Sequence, residues 1–153
     1  MRGIGIRVNP NKVYFSITEK NDDLIEILNV SNLIVPKAPK TPFKLNFIRT
    51  NLFSIIQEFN IIFAGLRIAE SNARTMSLER IYLEGVIQEL LVNSNIENHF
   101  VGRIAEIASI INKERTDIRK CFEGENILNI REWENYNREE RESICTSICS
   151  CNL

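Results

Sequence analysis

The chain has 153 residues, enough for one domain with a substantial core, and we predict a single domain over residues 1–153. Hydrophobic residues make up 44% and charged residues 25%, which is typical of a globular protein. The formal net charge of −1 excludes a general nucleic-acid coat protein, because such a protein needs many more Lys and Arg residues than acidic ones. No apolar run approaches the length of a membrane span, and the first residues lack the features of a signal peptide, so we expect a cytoplasmic protein.

The first third of the chain has the alternating pattern and turn residues of an antiparallel meander. We predict its strands at residues 2–8, 12–18 and 24–30. The Pro- and Lys-rich segment from Leu33 to Pro42 then predicts an irregular, exposed connection. An amphipathic helix is expected at residues 47–59, and Thr50 or Asn51 is a candidate N-cap for a shorter version of it.

The stretch from Asn60 to Val92 predicts a strand, a polar loop and a helix. The continuous apolar run at its start is typical of a strand covered on both faces, which we place near residues 61–68. The helix has an apolar stripe made of Leu83, Val86, Ile87, Leu90 and Leu91. Gly85 lies in this stripe, so we expect it to let the helix and the sheet approach closely.

The remainder of the chain predicts one more strand and three helices. The strand is expected near residues 99–104, followed by a helical face around residues 107–111 and a short helix at 116–122. Gly124 is a candidate stop signal, and a last helix is expected at 138–150. Three antiparallel strands followed by alternating helices and strands indicate an α/β fold with a mixed five-stranded sheet flanked by helices.

Three cysteines, Cys145, Cys149 and Cys151, lie within the last nine residues. Their Cys-x3-Cys-x-Cys spacing is not a recognised zinc pattern, and the chain has a single His. The alternative is that Cys145 and Cys149 act as small apolar residues on the buried face of the last helix. We favour this alternative and expect both residues to be buried against the sheet, with Cys151 at or beyond the helix end.

Four motifs resemble those of the ribonuclease H fold, in particular its RuvC-like branch, which includes the Holliday-junction resolvases. They are Gly5-Ile6-Arg7-Val8-Asn9-Pro10, Gly65-Leu66-Arg67-Ile68, Tyr82-Leu83-Glu84-Gly85-Val86 and the final-helix run from Glu142 to Ile148. The resemblance covers most of the chain and implies that the fourth strand lies parallel to the first and beside it. Enzymes of this branch cut phosphodiesters with two Mg²⁺ ions held by clustered carboxylates.

The chain departs from that pattern at the positions of the carboxylates. Arg7 occupies the position of the first-strand Asp, and the fourth-strand Glu falls at or beside Arg67. An Arg cannot ligate a cation, and only the final-helix carboxylate remains, as Glu142, with Glu139 one turn earlier. We therefore expect a degenerate site without Mg²⁺ or another cofactor, in which Arg7, Arg67 and Glu142 or Glu139 converge. Arg7 and Arg67 then either form a structural ion pair with Glu139 or Glu142, which we favour, or form a clamp for a phosphate or carboxylate group.

The loop after the fourth strand is either solvated or part of a binding site, and its polar residues are Glu70, Ser71, Asn72 and Arg74. Three functions remain open. The first, which we favour, is a non-catalytic module that binds a partner protein or nucleic acid within a larger assembly. The others are a divergent Mg²⁺-dependent nuclease using Glu70, Glu139 and Glu142, and a small-ligand binder using the arginine pair. The candidate binding residues are Arg7, Arg67, Glu70, Asn72, Arg74 and Glu142.

Overall fold

The computed structural model describes residues 1–72 and 74–153, which form five strands and five α-helices. The strands are β1 (Arg2–Val8), β2 (Lys12–Asn21), β3 (Leu24–Ile34), β4 (Phe63–Arg67) and β5 (Asn98–Gly102). The helices are α1 (Thr41–Glu58), α2 (Leu78–Val92), α3 (Ile104–Ile110), α4 (Arg115–Glu123) and α5 (Arg138–Ser150). Trp133 lies at the start of a short 3₁₀ turn between α4 and α5. The expected order of strands and helices is confirmed.

The five strands form one mixed sheet in the order β3-β2-β1-β4-β5. The pairs β1–β2 and β2–β3 are antiparallel, whereas β4 pairs in parallel with both β1 and β5. This confirms the ribonuclease H-like sheet and the position of the fourth strand beside the first. In the β1–β4 register, Gly5 lies opposite Gly65 and Arg7 lies opposite Arg67.

The two faces of the sheet carry different layers of helices. Ile4, Ile6 and Val8 of β1 point into a hydrophobic core that also contains buried residues of α1 and α2. The alternate residues of β1 point to the opposite face, where α5 crosses the middle of the sheet. Helices α3 and α4 pack against α5 in a second core, which includes Phe122 and Trp133.

Helix α5 lies unusually close to the sheet because the strands beneath it present glycines. A Cβ atom at Gly5 would overlap the backbone of Ser143 and Ser147, and one at Gly65 would overlap Thr146 and Phe100. The expectation for Gly85 is wrong, since that residue is exposed and a Cβ there would meet nothing within 4 Å. The close contact is therefore between α5 and the strands, and it does not involve α2.

Hydroxyl groups satisfy one another in the contact between α5 and the sheet. Ser143 Oγ lies 2.5 Å from Ser16 Oγ, and Ser147 Oγ lies 2.8 Å from Thr18 Oγ1. Ser147 also donates to the Gly3 carbonyl at 3.0 Å. These side chains are fully buried, and their pairing removes the cost of burying unpaired hydroxyls.

Several predicted boundaries are wrong. Strands β2 and β3 pair over ten residues, so β3 extends to Ile34 and the irregular connection is shorter than expected. Helix α1 begins at Thr41 with a Pro in its first turn, where the missing N–H costs nothing. Thr50 and Asn51 therefore lie inside this helix and cap nothing. Ile104 begins α3 and does not end β5.

All four cysteines are buried, which confirms the expected burial of Cys145 and Cys149. Both lie on the face of α5 that packs against α3 and α4: Cys145 Sγ is 3.7 Å from Cys121 Sγ, and Cys149 contacts the Ile107 carbonyl. Cys151 follows the last residue of α5, as expected, and its thiol lies near Thr18. Within the described residues, no helix is both long enough and apolar enough to cross a membrane.

Candidate functional site

Arg7 and Arg67 meet because strand alternation and sheet register act together. In β1, Gly3, Gly5 and Arg7 share the face that α5 covers, and in β4 the same face carries Gly65 and Arg67. The two arginines are direct partners across the parallel β1–β4 pair. Both guanidinium groups therefore lie at the carboxyl ends of adjacent central strands, next to the N-terminal half of α5.

Glu142 is the carboxylate that both arginines contact. Helix α5 begins after Asn137, which forms a capping box with Glu140 and so fixes the position of the first turn. One turn later, Glu142 Oε2 accepts a hydrogen bond from Arg7 Nε and lies 3.6 Å from Arg67 Nε. Arg138, in the first turn of α5, reaches the other oxygen at 3.3 Å. The Glu142 side chain is only 2% exposed, so one buried carboxylate faces three guanidinium groups.

Arg67 is also held by the loop that follows β4. Its Nη2 atom lies 2.9 Å from Glu70 Oε1, and the same oxygen accepts a hydrogen bond from the Ile104 amide at 3.1 Å. The Arg67 side chain is 5% exposed, and its burial lowers the pKa of the guanidinium, which the charge of Glu142 partly offsets. Arg67 Nε is buried without a hydrogen-bond partner among the described residues.

A second arginine–glutamate pair, which the sequence analysis missed, lies next to this group on α2. Arg80 Nε is 2.8 Å from Glu84 Oε1, and the same buried carboxylate accepts from the Ala69 amide at 3.1 Å. Burial lowers the pKa of Arg80, and the nearby charge of Arg7 lowers it further. The signal in the sequence was the spacing of four residues between Arg80 and Glu84, which brings the two side chains together on a helix.

An open cleft of about 420 Å³ lies beside the buried arginines. Its lining comes from the loop after β4, from the start of α3 and from the polar ends of α4 and α5. The lining residues are Arg67, Glu70, Ser71, Asn72, Ile104, Arg119, Glu123 and Arg138. Arg138 Nη1 lies 2.6 Å from Glu123 Oε1 across this cleft. Arg119, Glu123 and Arg138 were not among the predicted site residues.

The structure thus brings together some predicted residues and separates others. Arg7, Arg67, Glu70 and Glu142 form one connected group of ion pairs, and Asn72 lies in the adjoining cleft. Arg74 is exposed and is not among the residues that line the cleft; Ala73, beside it, lies outside the described residues. Glu139 forms no ion pair with the described residues, and its charge adds to the effect of burial in raising the pKa of Tyr14, which pairs with Arg7 across β1 and β2.

The residues present do not fit a pair of Mg²⁺ ions. Magnesium needs several oxygen ligands, but the only deeply buried carboxylate of this group, Glu142, is occupied by guanidinium groups. A divalent cation beside Arg7 and Arg67 would also meet their positive charge. Among residues 1–72 and 74–153 no group of three or more His, Cys, Asp or Glu side chains is arranged to hold a metal ion.

Known proteins resemble this chain in structure and not in sequence. No protein-family model and no curated protein matches it. RuvC of Thermus thermophilus matches with a TM-score of 0.76 at 8% identity, covering 99% of this chain and 94% of RuvC. The same protein in complex with a Holliday junction substrate gives 0.74 at 10% identity, with the same coverage. The yeast mitochondrial Holliday junction resolvase Ydc2 gives 0.59 at 13% identity, covering 98% of this chain and 77% of Ydc2. The chain therefore has the RuvC-like ribonuclease H fold.

Proposed function

We propose that this chain is a non-catalytic ribonuclease H-like module that binds nucleic acid as a component of a larger assembly. The observation that carries the proposal is the arginine-rich group at the carboxyl ends of β1 and β4, where the resemblance implies carboxylates in the nucleases. Arg7 and Arg67 occupy that end of the sheet in direct register, and Glu142 lies between them. A site of this kind favours an anion over a divalent cation.

Electrostatics supports the non-catalytic part of the proposal. At about 4 Å and an effective dielectric constant of about 20, one guanidinium repels a unit positive charge by about 4 kcal/mol, and a divalent ion by roughly twice as much. Arg7 and Arg67 are both largely buried, so solvent screens this repulsion weakly. Glu142 alone cannot offset it, since its single negative charge faces the positive charges of both Arg7 and Arg67.

The positive groups around the cleft support nucleic acid as the ligand. Arg67, Arg119 and Arg138 line it together with the neutral donors Ser71 and Asn72, the residue types that contact phosphates in protein–DNA complexes. Because the whole chain has a net charge of −1, its affinity for phosphates must come from such a local patch. RuvC, which shares the fold, has been solved with a Holliday junction substrate, so we take branched DNA as the first ligand to test.

A divergent nuclease is the alternative, with Glu70, Glu139 and Glu142 as its carboxylates. Glu70 and Glu142 do flank one point, but that point is the guanidinium of Arg67. Glu139 lies one turn before Glu142 on α5, but it forms no ion pair with this group in the part of the chain that the structure describes. A nuclease would therefore have to expel Arg67 before metal could bind.

The test is binding and cleavage on the same substrates. A four-way junction, a duplex and a single strand of DNA, with matched RNA, are titrated with the protein in EDTA and then in Mg²⁺ or Mn²⁺. We expect salt-dependent binding in EDTA and no cleavage with either metal. Cleavage that requires metal and is abolished by Glu70→Gln would establish the nuclease instead. If no nucleic acid binds at low salt, the nucleic-acid proposal is wrong.

A further inference from the structure

We propose that the cleft between the loop after β4 and the ends of α4 and α5 is a metal-independent phosphate subsite, with Arg119 and Arg138 as its principal ligands. Glu123 and Glu70 then act as exchangeable internal counter-ions that a bound phosphate displaces. The phosphate group belongs either to a nucleic-acid backbone or to a free phosphate ester. The first source rests on the proposed function, whereas the subsite itself rests on the cleft alone.

The charges of the lining leave one cation available. Three guanidinium groups, from Arg67, Arg119 and Arg138, face two carboxylates, from Glu70 and Glu123. Arg119 is exposed and forms no ion pair with any residue that the structure describes. The cleft thus has a net positive charge within a protein whose overall charge is slightly negative, and an anion is its electrostatically favoured occupant.

The ion pairs at the mouth and at the floor of the cleft differ in how readily they exchange. At the mouth, Arg138 and Glu123 are 55% and 63% exposed, and a pair this exposed contributes little to stability. At the floor, Arg67 and Glu142 are almost fully buried, and separating them would leave buried charges unpaired. A phosphate can therefore replace Glu123 on Arg138 while the floor remains intact.

Glu70 is the second exchangeable carboxylate. It is 35% exposed, it follows the end of β4 on a loop, and it neutralises Arg67 from the cleft side. A phosphate carries more charge than a carboxylate and can accept two parallel hydrogen bonds from one guanidinium, so it competes with Glu70 for Arg67. Ser71 and Asn72 lie in the same lining and supply uncharged donors for the remaining oxygens.

The size of the cleft fits this assignment. About 420 Å³ is within the range of ligand sites and exceeds the volume of a phosphate group, leaving room for the atoms on either side of a phosphodiester. The lining is mostly polar and charged, with Ile104 as its single apolar member among the described residues. Such a lining suits a charged group and offers little to an apolar ligand.

The experiment measures binding of inorganic phosphate, a nucleoside monophosphate and a short DNA single strand in EDTA, at constant ionic strength. Chemical-shift changes of the arginine side chains report occupancy for the free phosphates, and fluorescence anisotropy reports the DNA. The variants are Arg119→Ala, Arg119→Lys and Glu123→Gln, and their circular dichroism confirms folding. Arg131→Ala is the control, because Arg131 is 92% exposed and does not line the cleft.

We expect Arg119→Ala to weaken phosphate binding roughly tenfold, the effect of losing one charge-assisted hydrogen bond. Arg119→Lys should restore part of the affinity, and Glu123→Gln should strengthen binding by removing the competitor. Equal effects of Arg119→Ala and Arg131→Ala, weaker binding by Glu123→Gln, or a requirement for Mg²⁺ would overturn the subsite. If phosphate binds here and no nucleic acid does, the subsite stands and the proposed function fails. If DNA binds but Arg119→Ala leaves both ligands unaffected, the proposed function stands and the subsite is wrong.

Discussion

Replacing Glu142 by Gln should destabilise the protein more than replacing Arg7, one of the three arginines that contact it. Gln has nearly the same shape, so the substitution removes a charge and creates no cavity. Glu142 is 2% exposed, and Arg7 and Arg67 would lose the carboxylate that lies between them. Breaking a buried ion pair by removing one partner costs about 3–5 kcal/mol, and we expect Glu142→Gln to fall in that range.

Arg7→Ala should cost less, about 1–3 kcal/mol, the penalty for losing a charge-assisted hydrogen bond to a buried carboxylate. The reason is that Glu142 keeps Arg67 at 3.6 Å and Arg138 at 3.3 Å, so the carboxylate remains paired. Glu123→Gln provides the exposed control. Its side chain is 63% exposed, and loss of its pair with Arg138 should cost about 1 kcal/mol or less.

Urea unfolding followed by circular dichroism measures all three free energies. With a urea m-value of about 2 kcal/mol/M, Glu142→Gln should lower the midpoint by roughly 2 M, provided that the m-value itself is unchanged. The order of the costs is the critical result, because it depends on one carboxylate serving several arginines. If Glu142→Gln costs no more than Arg7→Ala, or if both cost as little as Glu123→Gln, Glu142 does not stabilise several arginines at once.

Three further predictions concern glycines, thiols and acid stability. Gly5→Ala should destabilise the folded protein by about 1–3 kcal/mol or more, because the added Cβ would overlap the backbone of α5. Gly85→Ala should stabilise the folded protein by about 0.5–1 kcal/mol, because a Cβ there meets nothing within 4 Å. Thermal unfolding of the two variants distinguishes the opposite effects. Burial raises the pKa of the Cys149 thiol to about 12, so a thiol reagent at pH 8 should label it only after unfolding, and mass spectrometry of native and denatured samples checks this. The hydrogen bond from the Arg103 amide holds the pKa of Glu106 below its usual 4.5. The ionised carboxylate of Glu106 therefore stabilises the folded protein fully above pH 4.5, and this contribution is lost as the pH falls below that value. Glu106→Gln should reduce the dependence of the unfolding free energy on pH in that range.

The convergence of Arg7, Arg67 and Glu142 could be predicted because it depends on strand alternation and on the pairing of neighbouring strands. Alternation in Gly3–Val8 places Arg7 on the same face as Gly5, and the resemblance to the ribonuclease H fold placed the fourth strand beside the first. The position of Glu142 was implied by the same resemblance, which matches it to the carboxylate of the final helix. Strand alternation is a local rule, whereas the arrangement of the elements around it came from the resemblance.

The cleft could not be predicted in the same way. Arg119 and Glu123 lie on the polar side of α4, and a charged helix face looks the same in sequence whether it meets solvent or a neighbouring loop. The prediction for Gly85 was wrong for a related reason. The apolar stripe of α2 defines the buried face of the helix only to within one residue. The buried neighbour is Glu84, whose carboxylate is satisfied by Arg80 and the Ala69 amide. Which residue of a helix faces a partner depends on the partner's hydrogen-bonding groups, and these are distant in sequence.

The direct register of Arg7 and Arg67 has a consequence for how this sequence can change over generations. A single Arg7→Asp substitution would place a second carboxylate next to Glu142 while removing one of its cations, and two adjacent buried carboxylates repel each other. The same holds for Arg67→Glu taken alone. Both changes together would place three carboxylates side by side, an arrangement that needs a bound cation to offset the repulsion. Any path from this arginine pair to a metal-binding carboxylate cluster therefore passes through less stable intermediates.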